Sequence, residues 1–310
     1  MSLANYRRIT LVALVSLVFI TVTGAAVRLT GSGLGCETWP SCTSDSFAPR
    51  SASDVHGMIE WANRLVTGIV MVFTSATVVG ALLLRPRRPD LFRWSLGLPA
   101  WVLANAAIGA MVVLLELPPI SVIAHFLVSL GAVWHAVVLH QRAGEERAAA
   151  EPRRVLATAS VVRGCRWLVA AAGAVVVTGT IVTGTGPHAG DSQADRLDFS
   201  LPDVVRIHAV VVVLFLLLTL AVLWLVRRGN ATPLVENRLH QLLVVSVAQA
   251  GIGYTQYFTG VPALIVGVHV FGAVLVWISV LRVQLSLSQP SSAPAPARVA
   301  ARARGDVVPA

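Results

Sequence analysis

Eight long runs of apolar residues, separated by short polar or arginine-bearing links, dominate the chain. The runs cover roughly 9–29, 54–84, 94–115, 120–141, 164–185, 203–226, 236–257 and 262–284. Each is about as long as the 20-residue helix that crosses the hydrocarbon core of a bilayer. Helices are expected because a lipid-exposed backbone must satisfy its own hydrogen bonds. The pattern predicts an all-α, polytopic membrane protein with eight transmembrane helices.

Composition and charge agree with a membrane protein and indicate its topology. Hydrophobic residues make up 55% of the 310 residues and charged residues only 13%, against about 25% in soluble domains. The 24 basic residues are all arginine and lie mostly in alternate links and the tail, which argues against a nucleic-acid partner. The opposite links hold only Arg28, Arg50, Arg196 and Arg206. We expect a multi-pass protein of the plasma membrane in contact with lipid, and the positive-inside rule predicts that both termini are cytoplasmic.

The chain also repeats itself in tandem. Without a gap, the matching pairs are Asn105 and Gln249, Gly109 and Gly253, Pro118 and Pro262, and His125 and His269. The first and fifth runs match as "VTGAAVRLTGSG" and "VTGTIVTGTG". We therefore predict two tandem, parallel four-helix bundles. The first covers residues 1–141, a cytoplasmic linker 142–163, the second 164–285, and a disordered cytoplasmic tail 286–310.

Four of the eight histidines lie in the outer part of an even-numbered run: His56, His125, His208 and His269. Ionisable residues inside a membrane are expensive and usually functional. Two imidazoles facing each other across a bundle, as predicted for His208 and His269, suit the two axial positions of a haem iron. A zinc or copper ion would want a third or fourth ligand at that depth. The alternative is packing through interhelical hydrogen bonds, which we expect for the deeper His135.

The second run carries further polar residues at helical spacing, in "HGMIEWANRL". His56, Glu60, and Asn63 with Arg64 fall on one face of a helix. This face would place an imidazole, a carboxylate and a guanidinium on one wall of a cavity. Alternatively, Glu60 and Arg64 neutralise each other and only lock helices together.

Over about residues 9–285 the sequence resembles the haem A synthase family, membrane enzymes that oxidise a ring methyl of haem O to a formyl group. The resemblance is carried by "VRLTGSGLGCETWPSC" (Val27–Cys42), "IEWANRL" (Ile59–Leu65), "AHFL" (Ala124–Leu127) and the late histidines. It implies that His208 and His269 ligate a resident haem b in the second half. It also implies that the first half is the chamber for the substrate haem O, with His125 as an iron ligand.

The same resemblance implies that Glu60 is the essential carboxylate. A carboxylate can stabilise positive charge that develops at the methyl carbon and accept the released proton. Arg64 would hold Glu60 ionised or bind a haem propionate. Expected partners are a haem O synthase and assembly factors of the terminal oxidase that receives haem A. The oligomeric state stays open, with a homo-oligomer among the options.

One position departs from the family pattern, which usually has His where this chain has Asn63. An amide is a poor iron ligand, so the second ligand in the first half is open. Haem O could be held by His125 alone, or His56 could reach the iron. We favour the first, because His56 lies about 10 Å from Asn63 along the helix.

Two cysteines of the first outer loop, Cys36 and Cys42, are expected to form a disulfide in an oxidising compartment. The bond could be a structural staple or take part in the redox cycle. Two rival functions also remain: a dihaem cytochrome b-type electron carrier or haem-bearing oxidoreductase subunit, and a proton-coupled transporter.

Overall fold

A computed structural model of the protein describes residues 1–145, 152–229 and 232–291. The described residues form eight long α-helices, and each predicted run falls on one of them. The helices are α1 (Leu3–Leu29), α2 (Val55–Leu82), α3 (Pro89–Leu114), α4 (Pro119–Arg142), α5 (Ala159–Thr185), α6 (Leu201–Arg228), α7 (Pro233–Phe258) and α8 (Ala263–Ser286). The all-α prediction is confirmed.

Seven of these helices are long and apolar enough to cross a membrane, so the chain is a multi-pass membrane protein. The eighth, α7, is also 26 residues long, but its apolar sequence contains the polar residues Gln241, Gln249 and Gln256. It packs against α6 and α8. The Gln249 amide donates a hydrogen bond of 2.7 Å to the carbonyl of His269 on α8, so this polar side chain faces protein rather than lipid.

The helices contact one another as two rings of four. In the first ring α1 contacts α2 and α4, and α3 lies against the same two helices. In the second ring α5 contacts α6 and α8, and α7 lies against those two. Helix α8 also packs on α1 and α4, and α4 packs on α5.

The turns that precede α4 and α8 show the repeat in the backbone. Leu117 and Val261 both have positive φ, 63° and 59°, and the residues before them, Glu116 and Gly260, do too. Their N–H groups close equivalent turns, Leu117 to Val112 O at 2.8 Å and Val261 to Gln256 O at 2.7 Å. A left-handed conformation costs a leucine or valine about 1 kcal/mol, so its presence at both positions shows that the same connection is built twice.

Packing is uneven along the membrane normal. The largest fully buried side chains among the described residues lie near the middle of the bundle or toward the end that holds the N-terminus of α1. They include Tyr6, Leu91, Leu98, Leu139, Val161, Leu168, Leu239 and Leu242. The first two turns of α4 and α8, which contain His125 and His269, hold no buried residue. Because protein interiors normally pack without large voids, this loose outer half is where a large planar group could be accommodated.

A short antiparallel ribbon joins the predicted linker to the start of the predicted tail. Strand β1 (Arg153–Val155) pairs with β2 (Ser288–Pro290), with Arg154 opposite Gln289. The predicted disordered tail was wrong at its start, since residues 286–290 end α8 and form β2. The rest of that prediction, 292–310, lies outside the described residues, as do linker residues 146–151.

Candidate functional site

The structure separates the histidines by their hydrogen bonds. Four of them have hydrogen-bond partners that are unrelated to the outer half of the helices. Three lie deeper in the bundles, His135 bonded to Trp94 O at 2.7 Å, His140 to Thr10 at 3.0 Å and His240 to Arg227 at 2.9 Å. The fourth, His188, lies in an outer loop and is bonded to Val261 O at 2.9 Å. The interior hydrogen bond expected for His135 is confirmed. These four rings have structural partners that account for them.

His208 on α6 is oriented by a threonine of α5. Its Nδ1 lies 2.9 Å from Thr178 Oγ1. That hydroxyl already donates to the carbonyls of Ala174 and Val175, at 2.9 and 3.1 Å. With its only proton used, Thr178 accepts the Nδ1–H of His208. Nε2 of His208 is then unprotonated, which is the form that binds a metal ion.

His125 and His269 are held in the same way in the two halves. A Cβ built at Gly109 would lie 3.1 Å from Cε1 of His125, and one at Gly253 would lie 3.0 Å from Cε1 of His269. Both rings therefore lie against a stretch of the preceding helix that carries no side chain. Nδ1 of each ring is buried and has no hydrogen-bond partner in the described part of the chain. A larger residue at either glycine would push the imidazole out of place.

The arrangement fits a planar tetrapyrrole with two axial imidazoles. His208 rests on Gly179 as the other two rings rest on their glycines, with 3.1 Å from a Cβ built there to Cε1. The helices of His208 and His269, α6 and α8, both lie against α5 and α7 in the second ring. Across the described residues, no group of three or more His, Cys, Asp or Glu side chains could hold a metal ion. A pair of imidazoles in a loosely packed chamber suits haem iron better than a zinc or copper ion.

Glu60 is buried beneath the first outer loop. Its side chain is 7% exposed, and Oε2 accepts the backbone N–H of Cys36 at 2.8 Å. Oε1 accepts from Nε and Nη2 of Arg64, one turn further along α2. The structure thus brings together the two residues that the sequence placed on one face. Buried charge is tolerated here because it is paired and hydrogen-bonded.

Arg64 connects this carboxylate to the loop. Its Nη1 donates to the carbonyls of Thr38 at 2.7 Å and Ser41 at 2.9 Å. The same loop contains the disulfide between Cys36 and Cys42, so the predicted bond is confirmed. One guanidinium therefore fixes both the carboxylate and the disulfide loop, a role that the sequence alone did not indicate.

Asn63 also has a specific partner on the neighbouring helix. Thr23 of α1 donates to Oδ1 of Asn63 at 2.8 Å. This contact corresponds to the one between Thr178 and His208, because both threonines stand in the repeated "VTG" of α1 and α5. The repeat could have revealed these threonines as partners, but only once Asn63 and His208 were recognised as equivalent.

The same register shows how the two halves differ. Where Asn63 falls on His208, Glu60 falls on Val205 and Arg64 on Ala209. The buried ion pair therefore belongs to the first half alone.

His56 lies apart from these groups. It is the second residue of α2 and is exposed, and its Nδ1 is 2.9 Å from Ser32 Oγ in the outer loop. A Cβ at Gly35 would overlap the backbone of His56, so the loop sits directly on this end of the helix. The structure thus ties His56 to the outer loop.

Several known proteins are similar in sequence to parts of this chain. The chain is 31% identical to a heme A synthase of Geobacillus thermodenitrificans over 145 residues, 46% of this chain and 44% of that protein. It is 28% identical to a heme A synthase of Symbiobacterium thermophilum over 144 residues, 46% of each. A protoheme IX farnesyltransferase of Thermus thermophilus is 34% identical over 99 residues, 31% of this chain and 16% of that protein. The chain thus spans less than half the length of these curated relatives.

One family match covers most of the molecule. Residues 7–281 match the family described as cytochrome oxidase assembly protein, COX15-CtaA, and this range includes all eight helices almost to their ends. The chain therefore belongs to the COX15-CtaA family of cytochrome oxidase assembly proteins.

Proposed function

We propose that this protein is a haem A synthase, which converts the ring methyl of haem O to a formyl group and so provides haem A for a terminal oxidase. The observation that carries the proposal is the asymmetry of the repeat. Both halves present histidines in a loosely packed outer chamber, but only the first adds the buried pair of Glu60 and Arg64. A protein that only carried electrons would need no such pair in one half.

The second half would hold haem b between His208 and His269. When bound, this group supplies a one-electron carrier beside the first half. Thr178 keeps His208 in the tautomer that can bind iron, and Gln249 holds the backbone carbonyl of His269. The contact with Thr178 fixes the imidazole of His208, and close packing on Gly253 restricts that of His269, before the group enters, which reduces the entropy cost of binding it.

The first half would hold the substrate haem O with His125. Conversion of a methyl to a formyl group adds one oxygen atom from water and releases four protons and four electrons, which an external oxidant such as molecular oxygen must accept. Glu60 is a carboxylate whose charge is balanced by Arg64 and by the N–H of Cys36. It is suited to stabilise positive charge at the reacting carbon and to accept a proton released there. The positive-inside rule puts this chamber near the outer face of the plasma membrane, with both termini in the cytoplasm.

A direct test is co-expression with a haem O synthase, followed by extraction and chromatography of the haems. The wild-type protein should produce haem A. Glu60→Gln should keep the haem b spectrum and leave haem O unconverted, because the amide cannot accept a proton. The matched control is Glu37→Gln, an exposed carboxylate in the same loop, which should convert haem O normally.

Three outcomes would contradict the proposal in different ways. Haem b without haem A in the wild type would favour an electron carrier. A purified protein without any haem absorbance would favour a transporter. Normal haem A output from Glu60→Gln would remove this carboxylate from the reaction.

A further inference from the structure

The two halves treat one equivalent position in opposite ways. In the second half Thr178 orients the imidazole of His208 at 2.9 Å, and in the first half Thr23 contacts the amide of Asn63 at 2.8 Å. The helix, the threonine partner and the contact distance match. Only the iron-binding ring is missing.

The glycine beside each threonine shows the space that this exchange leaves. A Cβ built at Gly179 would meet the ring of His208 at 3.1 Å. A Cβ built at Gly24, the matching residue of α1, would meet nothing within 4 Å. The smaller amide has not drawn neighbouring side chains into the vacated volume. The first half therefore keeps the space for an imidazole beside Gly24, although this position of α2 is occupied by Asn63.

The opposite side of the first chamber is complete. His125 rests on Gly109 as His269 rests on Gly253, with 3.1 and 3.0 Å from the built Cβ to Cε1. The backbone carbonyl of His125 accepts a hydrogen bond from the hydroxyl of Ser129. That hydroxyl in turn accepts one from the amide of Asn105, the residue that matches Gln249 in the repeat. An imidazole is therefore ready on one side of the first chamber only.

His56 is poorly placed to supply the second ligand. It begins α2 about 10 Å along the helix axis from Asn63, and its ring is bonded to Ser32 of the loop. The loop also presses on its backbone at Gly35. Reaching the position above Gly24 would require the first turn of α2 and the loop to move together.

We propose that the first half holds its haem through His125 alone, and that the coordination position above Gly24, bordered by Asn63 and Thr23, is an open site for a small neutral iron ligand. This inference rests on the proposed function, since the haem in this half is the substrate. Because Thr23 occupies the amide oxygen of Asn63, the amide N–H groups are left to donate to a ligand bound there. A haem held by one protein ligand is also released more readily than one held by two, which suits a substrate that must leave as product.

The site can be tested with carbon monoxide as the probe. The detergent-purified protein, isolated from cells that make haem O, is reduced and titrated with the gas while the Soret band is recorded. Haem content is measured in parallel by extraction. With both haems bound, one should shift on adding carbon monoxide and the other, ligated by two imidazoles, should not.

Two mirror-image variants make the test specific. Asn63→His should place an imidazole against Thr23 and over Gly24, so that carbon monoxide binding is lost and a second bis-imidazole low-spin signal appears by electron paramagnetic resonance. His208→Asn should do the reverse, making the second-half haem reactive to carbon monoxide. The unchanged signal of the haem in the unaltered half reports that each variant is folded.

The outcomes separate this inference from the proposed function. Two haems that both resist carbon monoxide in the wild type, with no change in Asn63→His, would overturn the open site even if haem A is formed. Carbon monoxide binding that Asn63→His abolishes would support the open site even if haem A never appears, and the proposed reaction alone would then fail.

Discussion

Replacing Arg64 with methionine should destabilise the protein mainly by leaving Glu60 without its ion-pair partner. The loss of packing should be small, because Arg64 is partly exposed. The change leaves Glu60, 7% exposed at its side chain, with a single N–H donor and no positive partner. Removing one member of a buried ion pair typically costs about 3–5 kcal/mol, because the other charge stays buried. The carbonyls of Thr38 and Ser41 also lose a donor, but they lie in an outer loop where water can replace it.

The double variant Glu60→Gln/Arg64→Met isolates the electrostatic part of this loss. The glutamine amide is neutral and can still accept the N–H of Cys36, so the uncompensated charge disappears. We expect the double variant to regain about half of the lost stability, or roughly 2 kcal/mol. A variant more stable than the single change cannot be explained by lost loop contacts, which both proteins lack.

Thermal unfolding in detergent, followed by tryptophan fluorescence, measures these differences. At roughly 2–4 °C per kcal/mol, Arg64→Met should lower Tm by on the order of 10 °C. The double variant should recover several degrees and still make no haem A. If Arg64→Met unfolds at the wild-type temperature, or if the double variant is no more stable than the single one, the buried ion pair described here is wrong.

Three further predictions follow from the contacts around the chambers. Thr178→Val should loosen haem b about tenfold through loss of the Nδ1 acceptor, as measured by haem retention, whereas Thr180→Val, which removes only a local bond to a backbone carbonyl, should not. Gly179→Ala should displace His208 and lose haem b. Gly24→Ala has open space at its position, so it should retain haem b and stabilise α1 by about 0.5–1 kcal/mol. Equal loss of haem b in the two variants would contradict this difference between the two glycines. Cys36→Ser should cost about 2 kcal/mol by opening the small disulfide loop, seen as a lower Tm, and full stability would show that the loop is held by its other contacts.

The helices could be predicted from the sequence because lipid imposes a simple rule on length and polarity. Their ends could not. Helix α1 begins at Leu3, well before the predicted start, because Ser2 caps it and Tyr6 is completely buried. Helix α5 likewise begins early, after the cap Thr158. Hydropathy finds the part of a helix inside the bilayer, whereas caps and protein contacts decide how far it extends beyond.

The ribbon of β1 and β2 was not predictable for a different reason. Its strands are three residues each, far apart in sequence and without alternation of polar and apolar residues. They pair because α8 ends beside the linker, as shown by the bond from Leu156 N to Leu287 O at 2.8 Å. Such pairing depends on the assembled bundle rather than on local preference.

The candidate site was partly visible in the sequence. Histidines and a carboxylate in apolar helices are costly enough to be noticed individually. Thr178 and Thr23 were not, because threonines in membrane helices usually bond to a carbonyl of their own helix, and these do so as well. The contacts of Arg64 with the loop carbonyls need the folded loop, which no spacing of residues predicts.

The most direct test of the account is low-temperature electron paramagnetic resonance of the oxidised, purified protein with single histidine substitutions. The wild type should show the low-spin signal of a haem iron ligated by two imidazoles. His208→Ala and His269→Ala should each abolish that signal, whereas His140→Ala, which removes a ring bonded to Thr10 at the other end of the bundle, should leave it intact. Persistence of the signal in both α6 and α8 variants would contradict the assignment of these two imidazoles as the axial ligands.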